Sequence, residues 1–193
     1  EILSLALSTD HDILIIDPES EFPPLVSALG GEVVKISATS PNHINALDME
    51  AGYGDGGNPV VLKSEFILSL CEQLMGAGKL GAKEKSVIDR CAVNVALAIE
   101  LFTNGSLNTF AQQTNVNTSS RIIAYDIRDL GRQLLPVGML VVLDSIFNRV
   151  IRNRALGRAT WIFIDEIYLL FSQEYSANFL FTLWKRVRKY NAA

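Results

Sequence analysis

Two cysteines and two histidines are all the thiol and imidazole ligands that 193 residues supply. Cys71 and Cys91 have no second pair to complete a zinc site, and a reduced intracellular protein is the simplest reading. His11 and His43 stand without carboxylate or cysteine partners at ligand spacing, so no metal chemistry is assigned to them. An excess of positive charge is missing too. The formal net charge is −4, which excludes a polycation that coats nucleic acid. Any such contact is confined to a local patch or to a pore formed by assembly. The most apolar stretch, "LLPVGMLVVLDSIF", is too short to span a membrane and carries Asp144. An initiator Met and a signal peptide are also lacking. The opening "EILSLALSTDHD" reads as the back end of a helix entering a turn, so a fragment is expected.

What is present suits one sizeable core. The chain is 49% hydrophobic and 20% charged, which excludes global disorder. "DILIID" (12–17) and "EVVKIS" (32–37) are short, apolar and rich in β-branched residues, as strands buried on both faces of a parallel sheet are. Between them "PESEFPPLVSALGG" holds a Pro-initiated, Gly-terminated helix, which makes a βαβ unit. Residues 40–59 are loop. Phe66, Leu70 and Leu74 then recur at helical spacing, and a second helical run extends from about Lys83 to Phe102. Residues 60–120 therefore read as a mostly helical insertion. Strand character returns at "RIIAYDI" (121–127) and at "ATWIFID" (159–165), around a long helix with a bend expected at Pro136–Gly138. These two strands are expected to pair with each other, which makes Arg121 and Asp126 structural. "SANFLFTLWKRVRKY" is a last amphipathic helix.

The run "TWIFIDEIYLLF" (160–171) carries the chemistry. Charge is costly to bury without a partner, yet Asp165 and Glu166 end an apolar strand. Ligands of parallel α/β sheets bind at the carboxyl ends of strands, where Asp17 also falls. A nucleoside triphosphatase needs this pair: an Asp to hold hydrated Mg²⁺ and a Glu to activate the attacking water. The same two acids also suit a plain helix N-terminus, and the pattern alone leaves both readings open. A phosphate cradle, G-x-x-x-x-G-K-S/T, is missing. "GAGKLG" (76–81) has Gln73 at the first glycine position and Leu80 where a hydroxyl is required, and "GYGDGG" (52–57) has no lysine.

Six blocks in order carry a resemblance: "ILIIDPESEFPPLVSALGGEVVKIS…HINALDM", "GDGGNPVVLKSEFILSLCEQLMG", "KEKSVIDRC", "NGSLNTFAQQTNV", "RIIAYDIRDLGRQL" and "WIFIDEIYLLF…LWKRVRKY". Together they resemble the conjugative type IV secretion ATPases of Gram-positive mobile elements, within the hexameric, RecA-like, DNA-pumping motors. The resemblance implies an α/β fold: a RecA-like P-loop NTPase core with a parallel central sheet, helices on both faces and a helical insertion, incomplete at both ends. Residues 1–59 and 121–193 would be the two parts of the core and 60–120 the insertion. In that family the cradle precedes the segment matching "EILSLALSTDHDILIID", and a Thr-Gln-Asn strand follows "RKY". The stretch between "SVIDRC" and "NGSLNTF" is also shorter than the family's.

The resemblance further implies ATP and Mg²⁺ as cofactors, with Asp165 as the Mg²⁺-positioning acid acting through water and Glu166 as the catalytic acid that polarises water. Asp17 and Glu21 match an acidic motif that supports the site, and Glu21 would assist the water or be an ordinary helix N-terminal acid. Arg186 and Arg188 match basic residues near the subunit boundary, one of them an arginine finger on a neighbour's nucleotide, against the reading of a solvated basic helix end. Arg149, Arg152 and Arg154 are read as cations at a helix C-terminus in preference to a phosphate track. Implied partners are ATP, other subunits of a type IV secretion machine, further copies in a homo-hexamer and DNA. The implied place is cytoplasmic, at the inner face of the cell membrane, with no span of its own. The 193 residues alone are expected to be inactive. Rival expectations are a coupling protein or DNA translocase of the same superfamily, and a non-catalytic interaction module of a secretion complex.

Overall fold

The computed structural model describes residues 1–50, 53, 58–75, 81–83, 85–86, 110–172 and 174–193. Four strands, β1 (Asp12–Asp17), β2 (Glu32–Lys35), β3 (Ile122–Asp126) and β4 (Thr160–Ile164), form one sheet in the order β2-β3-β1-β4. All pairings are parallel. Among the described residues the sheet is accompanied by the α-helices α1 (Ile2–Ser8), α2 (Pro23–Ala28), α3 (Pro59–Met75), α4 (Gly131–Ala155) and α5 (Glu174–Val187). The α/β class expected from the sequence is therefore observed.

Alternation along the central strands builds two cores. On β1, Ile13 and Ile15 join Ile122 and Ala124 of β3 under α1 and α2. Leu14 and Ile16 join Ile123 and Tyr125 on the other face, under α3, α4 and α5. Each strand thus feeds both faces with a period of two. Every residue of β1 and β3 is buried. This is why their sequences read as unbroken apolar runs with no polar face.

The pairing differs from the expectation. β3 and β4 do not touch; they flank β1 on opposite sides. β1 and β2 are not neighbours either, because β3 lies between them. Both crossovers skip one strand. Hydropathy could not show this, since any apolar parallel strand satisfies its neighbour equally well. The anticipated structural roles of Arg121 and Asp126 come from other contacts. Arg121 Nη2 donates to the Ala6 carbonyl at 2.9 Å and Nη1 to that of Thr9 at 3.0 Å, which ties α1 to the sheet.

α4 runs uninterrupted through Pro136. Its Leu134–Ala155 stretch is 22 residues long and apolar enough to cross a membrane, longer than the 14-residue run had suggested. Most of that stretch is buried against the sheet, which accounts for its composition without lipid. Phe66 and Leu70 bury the inner face of α3 as expected. The "GAGKLG" stretch apart from Gly81, the second helical run beyond residue 86, Cys91 and the Leu74 side chain lie outside the described residues. Cys71 is buried, and burial pushes its thiol up to about 11.

Two adjacent glycines close α2 for different reasons. Gly30 adopts φ +70, the left-handed conformation that ends helices cheaply only without a Cβ. A Cβ on Gly31 would lie 2.7 Å from the Ile122 carbonyl oxygen and 2.8 Å from Val26 Cγ1. The backbone must pass this close for β2 to reach β3. Gly31→Ala is expected to lower stability by about 1–3 kcal/mol, read as a shifted urea midpoint with unchanged slope.

Candidate functional site

The carboxyl edge of the sheet gathers acids from three strands. Register places Asp17 opposite Asp126 and Ile16 opposite Ile164. Asp165 and Glu166 follow immediately after β4, and the Asp165 N–H still donates to the Ile16 carbonyl at 3.2 Å. Asp17, Asp126 and Asp165 therefore stand side by side because three parallel strands end at one level.

Their bonding separates them into classes. Asp17 is fully buried, and its two oxygens accept the N–H groups of Glu21 at 3.0 Å and Phe22 at 2.9 Å. Its carboxylate shapes the "DPESEF" loop. Ser20 enters the left-handed region at φ +60 in that loop, and its hydroxyl donates to Asp126 Oδ2 at 2.8 Å. Asp126 Oδ1 accepts the Arg128 N–H. Asp126 is thus a structural acceptor that pins the loop to β3. Glu21 is exposed just outside. On the far side, Lys35 pairs with Asp129 at 2.7 Å. That hydrogen bond raises the lysine's pKa and lowers the carboxylate's.

Asp165 and Glu166 are less committed. Both are half-buried. Asp165 Oδ1 accepts only the Glu166 N–H, at 2.9 Å, and Oδ2 has no hydrogen-bond partner among the described residues. Glu166 takes φ +53, rare outside glycine and worth roughly 1 kcal/mol of strain. Its carbonyl accepts the Leu169 N–H at 3.0 Å, which starts the 3₁₀ turn Ile167–Ser172. The expected α-helical cap is therefore a tight left-handed corner that swings Glu166 off the strand line. Among the described residues no group of three or more His, Cys, Asp or Glu is placed to hold a metal directly. A hard, hydrated cation at Asp165 Oδ2 fits this donor set, since Mg²⁺ keeps most of its waters.

The candidate arginines sit elsewhere. Arg186 is half-buried near the C-terminal end of α5, and its Nη1 is enclosed with no hydrogen-bond partner among the described residues. Its charge acts on Tyr53, inside the helical layer. The Arg188 side chain lies outside the described residues. The three arginines of α4 are already engaged. Arg149 is buried against Asp12, Arg152 pairs with Glu50, and Arg154 stacks on the Tyr190 ring at 4.5 Å. His11 accepts the Trp161 indole N–H at 3.1 Å, at the opposite end of the sheet.

Two buried ion pairs escaped the sequence reading. Lys63 of α3 meets Asp144 of α4 at 2.6 Å, and Asp144 also accepts the Tyr53 hydroxyl. Burial raises the pKa of Asp144, opposed by the Lys63 charge. Burial also raises that of Tyr53. Asp144 inside "LVVLDSIF" was the available signal: an acid in an apolar helix demands a buried partner. An apolar groove of about 470 Å³ beside the sheet is lined by Ile162, Ile164, Leu183 and Trp184 among others. Its lining contains no ionisable side chain, so it takes no part in the acid cluster.

No family model and no curated protein sequence matches the chain. A solved structure does. The VirB4 protein of Thermoanaerobacter pseudethanolicus superposes with a TM-score of 0.79, covering 99% of this chain and 88% of that one, at 19% identity. The chain has the VirB4 fold. At this identity the match speaks for architecture, and it spans the acid edge, the helical layer and all four strands. The RecA-like arrangement expected from the sequence blocks is thus the arrangement of a VirB4 protein.

Proposed function

We propose that the intact protein is the ATP-hydrolysing motor of a type IV secretion machine, in a conjugative, DNA-transferring setting. One observation carries the reading. Asp165 and Glu166, the least committed acids of the edge, stand at the carboxyl end of a parallel sheet whose fold is that of VirB4. Parallel sheets of this kind take their ligands there. The six sequence blocks point to the same family independently.

In this reading residues 1–59 and 121–193 form the motor core, and 60–120 an insertion. Asp165 holds a hydrated Mg²⁺ through its unengaged Oδ2. When bound, Mg²⁺ would offset the charge of the terminal phosphates of ATP. Glu166 orients water against the γ-phosphate, and its turn away from the strand separates it from the metal-holding acid. The division matters because a metal-bound carboxylate is a poor base. Asp17 acts indirectly, by fixing the loop that presents Glu21 to solvent at the rim. Arg186 or Arg188 would reach a neighbouring subunit's nucleotide within a homo-hexamer. The buried Nη1 of Arg186 means that it must first swing outward. Assembly with other secretion subunits at the cytoplasmic face of the membrane, and contact with DNA, belong to the same reading.

The test is turnover by the full-length protein. Phosphate release from ATP is expected with Mg²⁺ and is expected to vanish with EDTA. Absence of Mg²⁺-dependent turnover in the full-length protein, alone and with its secretion partners, would favour a non-catalytic docking module instead.

A further inference from the structure

Two corners at the carboxyl edge of the sheet carry residues ill suited to their backbone. Among the described residues a positive φ is taken by Gly30, Gly131, Gly157, Asn191, Ser20 and Glu166. Glycine adopts that region freely and asparagine tolerates it. Serine and glutamate gain no such relief. Both follow neighbouring parallel strands, Ser20 after β1 and Glu166 after β4. Strain kept at one edge in this way points to a use for the side chain, since glycine would serve the turn alone. Glu166 has its use in the proposed chemistry, and Ser20 has none yet.

The Ser20 hydroxyl donates to Asp126 Oδ2 at 2.8 Å. Its acceptor is well fixed. Asp126 is buried, and its Oδ1 accepts the Arg128 N–H at 3.2 Å. Lys35, the register neighbour of Asp126 on β2, pairs with Asp129 instead. Register sets the direction of the pull. β1 lies between β3 and β4, so the loop leaving Asp17 has Asp126 on one flank and the Asp165–Glu166 corner on the other. The Ser20 bond draws that loop toward Asp126 and away from Asp165. Asp17 then accepts the N–H groups of the next two residues, Glu21 at 3.0 Å and Phe22 at 2.9 Å. Glu21 is therefore held from both sides, by the side chain of the residue before it and by its own N–H, while it stays exposed at the rim.

We propose that Ser20 is a positioning residue for Glu21, its hydroxyl latching the loop to Asp126 so that Glu21 stands at the rim and the approach to Asp165 stays open. This rests on the ATPase reading above, with Glu21 assisting the attacking water. In the full-length protein, Ser20→Gly removes the hydroxyl and makes the left-handed corner easier to form. Stability is expected to hold or rise while kcat falls roughly fivefold and KM for ATP stays within about twofold. A purely structural serine would move stability and rate together. Ser20→Ala should lose the same rate and be less stable than Ser20→Gly, because its Cβ keeps the strain. In a Glu21→Gln background, Ser20→Gly should cost less than about twofold more, since Ser20 acts only through Glu21. A kcat unchanged by Ser20→Gly overturns the proposal. A full loss that persists in the Glu21→Gln background overturns it too.

A second readout needs no turnover. The Glu21 and Phe22 amides, both bonded to Asp17, are expected to exchange hydrogen at least about threefold faster in Ser20→Gly, after correction for the intrinsic rate beside glycine. Equal protection overturns the latch even if ATP hydrolysis is intact. If the wild-type protein hydrolyses no ATP while these amides do exchange faster, the latch stands as a fixture of the loop. The ATPase reading and the positioning role of Ser20 then fall together.

Discussion

Glu166→Gln in the full-length protein is expected to reduce ATP turnover by about 10²-fold or more while leaving ATP binding within a few-fold of wild type. Gln keeps the size and shape of Glu. The corner at φ +53 is set by the Leu169 N–H and by the buried Leu170, neither of which the substitution touches. In the proposed reading, what disappears is the negative charge that would draw a proton from water as it attacks phosphorus. Loss of rate without loss of binding is thus the signature of Glu166 acting only in the transition state. Steady-state phosphate release and titration with a fluorescent ATP analogue measure the two quantities. Turnover above about a tenth of wild type would remove Glu166 from the chemistry and return the acid pair to a merely structural role.

The second large effect concerns stability. Asp12 is fully buried and accepts from Arg149 Nε at 2.9 Å, Arg149 Nη2 at 2.6 Å and Asn153 Nδ2 at 2.7 Å. All three donors concern one carboxylate oxygen, and Oδ1 has no hydrogen-bond partner among the described residues. The network ties the start of β1 to the last turns of α4, and Asn153 extends it to the Thr160 hydroxyl at the start of β4. Removing one partner of such a pair leaves a buried charge uncompensated, which costs more than the pair contributes. Asp12→Ala is expected to destabilise by roughly 3–5 kcal/mol and to lower Tm by on the order of 10 °C. Arg149 keeps bonds to the carbonyls of Thr118 and Ser119, which prevents a larger loss. Asp12→Ala with Arg149→Met should recover part of the deficit, because the orphan charge leaves with its partner. An Asp12→Ala protein within about 1 kcal/mol of wild type would show that water reaches the guanidinium.

These two sites differ in how visible they were beforehand. Asp165 and Glu166 were legible because their signal is local: an apolar strand, then two acids, at the end where parallel sheets bind ligands. The strands were legible for the same reason, since β1 and β3 are buried on both faces and show it in every residue. The ion pairs were not. Lys63 and Asp144 are 81 positions apart, and Arg149 and Asp12 are 137 apart. Nothing in composition names a partner at that range. Strand order was hidden likewise, because side-chain pattern specifies the faces of a strand and not its neighbours.

The strand order β2-β3-β1-β4 also sets a timetable for synthesis. β1 and β2 are made first, yet neither pairs with the other. Each waits for β3, and β1 waits for β4 as well. From Lys35 to Ile122 the ribosome must add some 85 residues, roughly 4–17 s of elongation at ordinary rates. Through that interval two strands with apolar side chains and open backbone edges are outside the ribosome without their partners. Such a chain is a client for whatever shelters nascent sheet edges, and its yield should depend on that shelter more than its final stability does. The chain's demanding interval comes early: its first strands must wait unpaired until the third arrives.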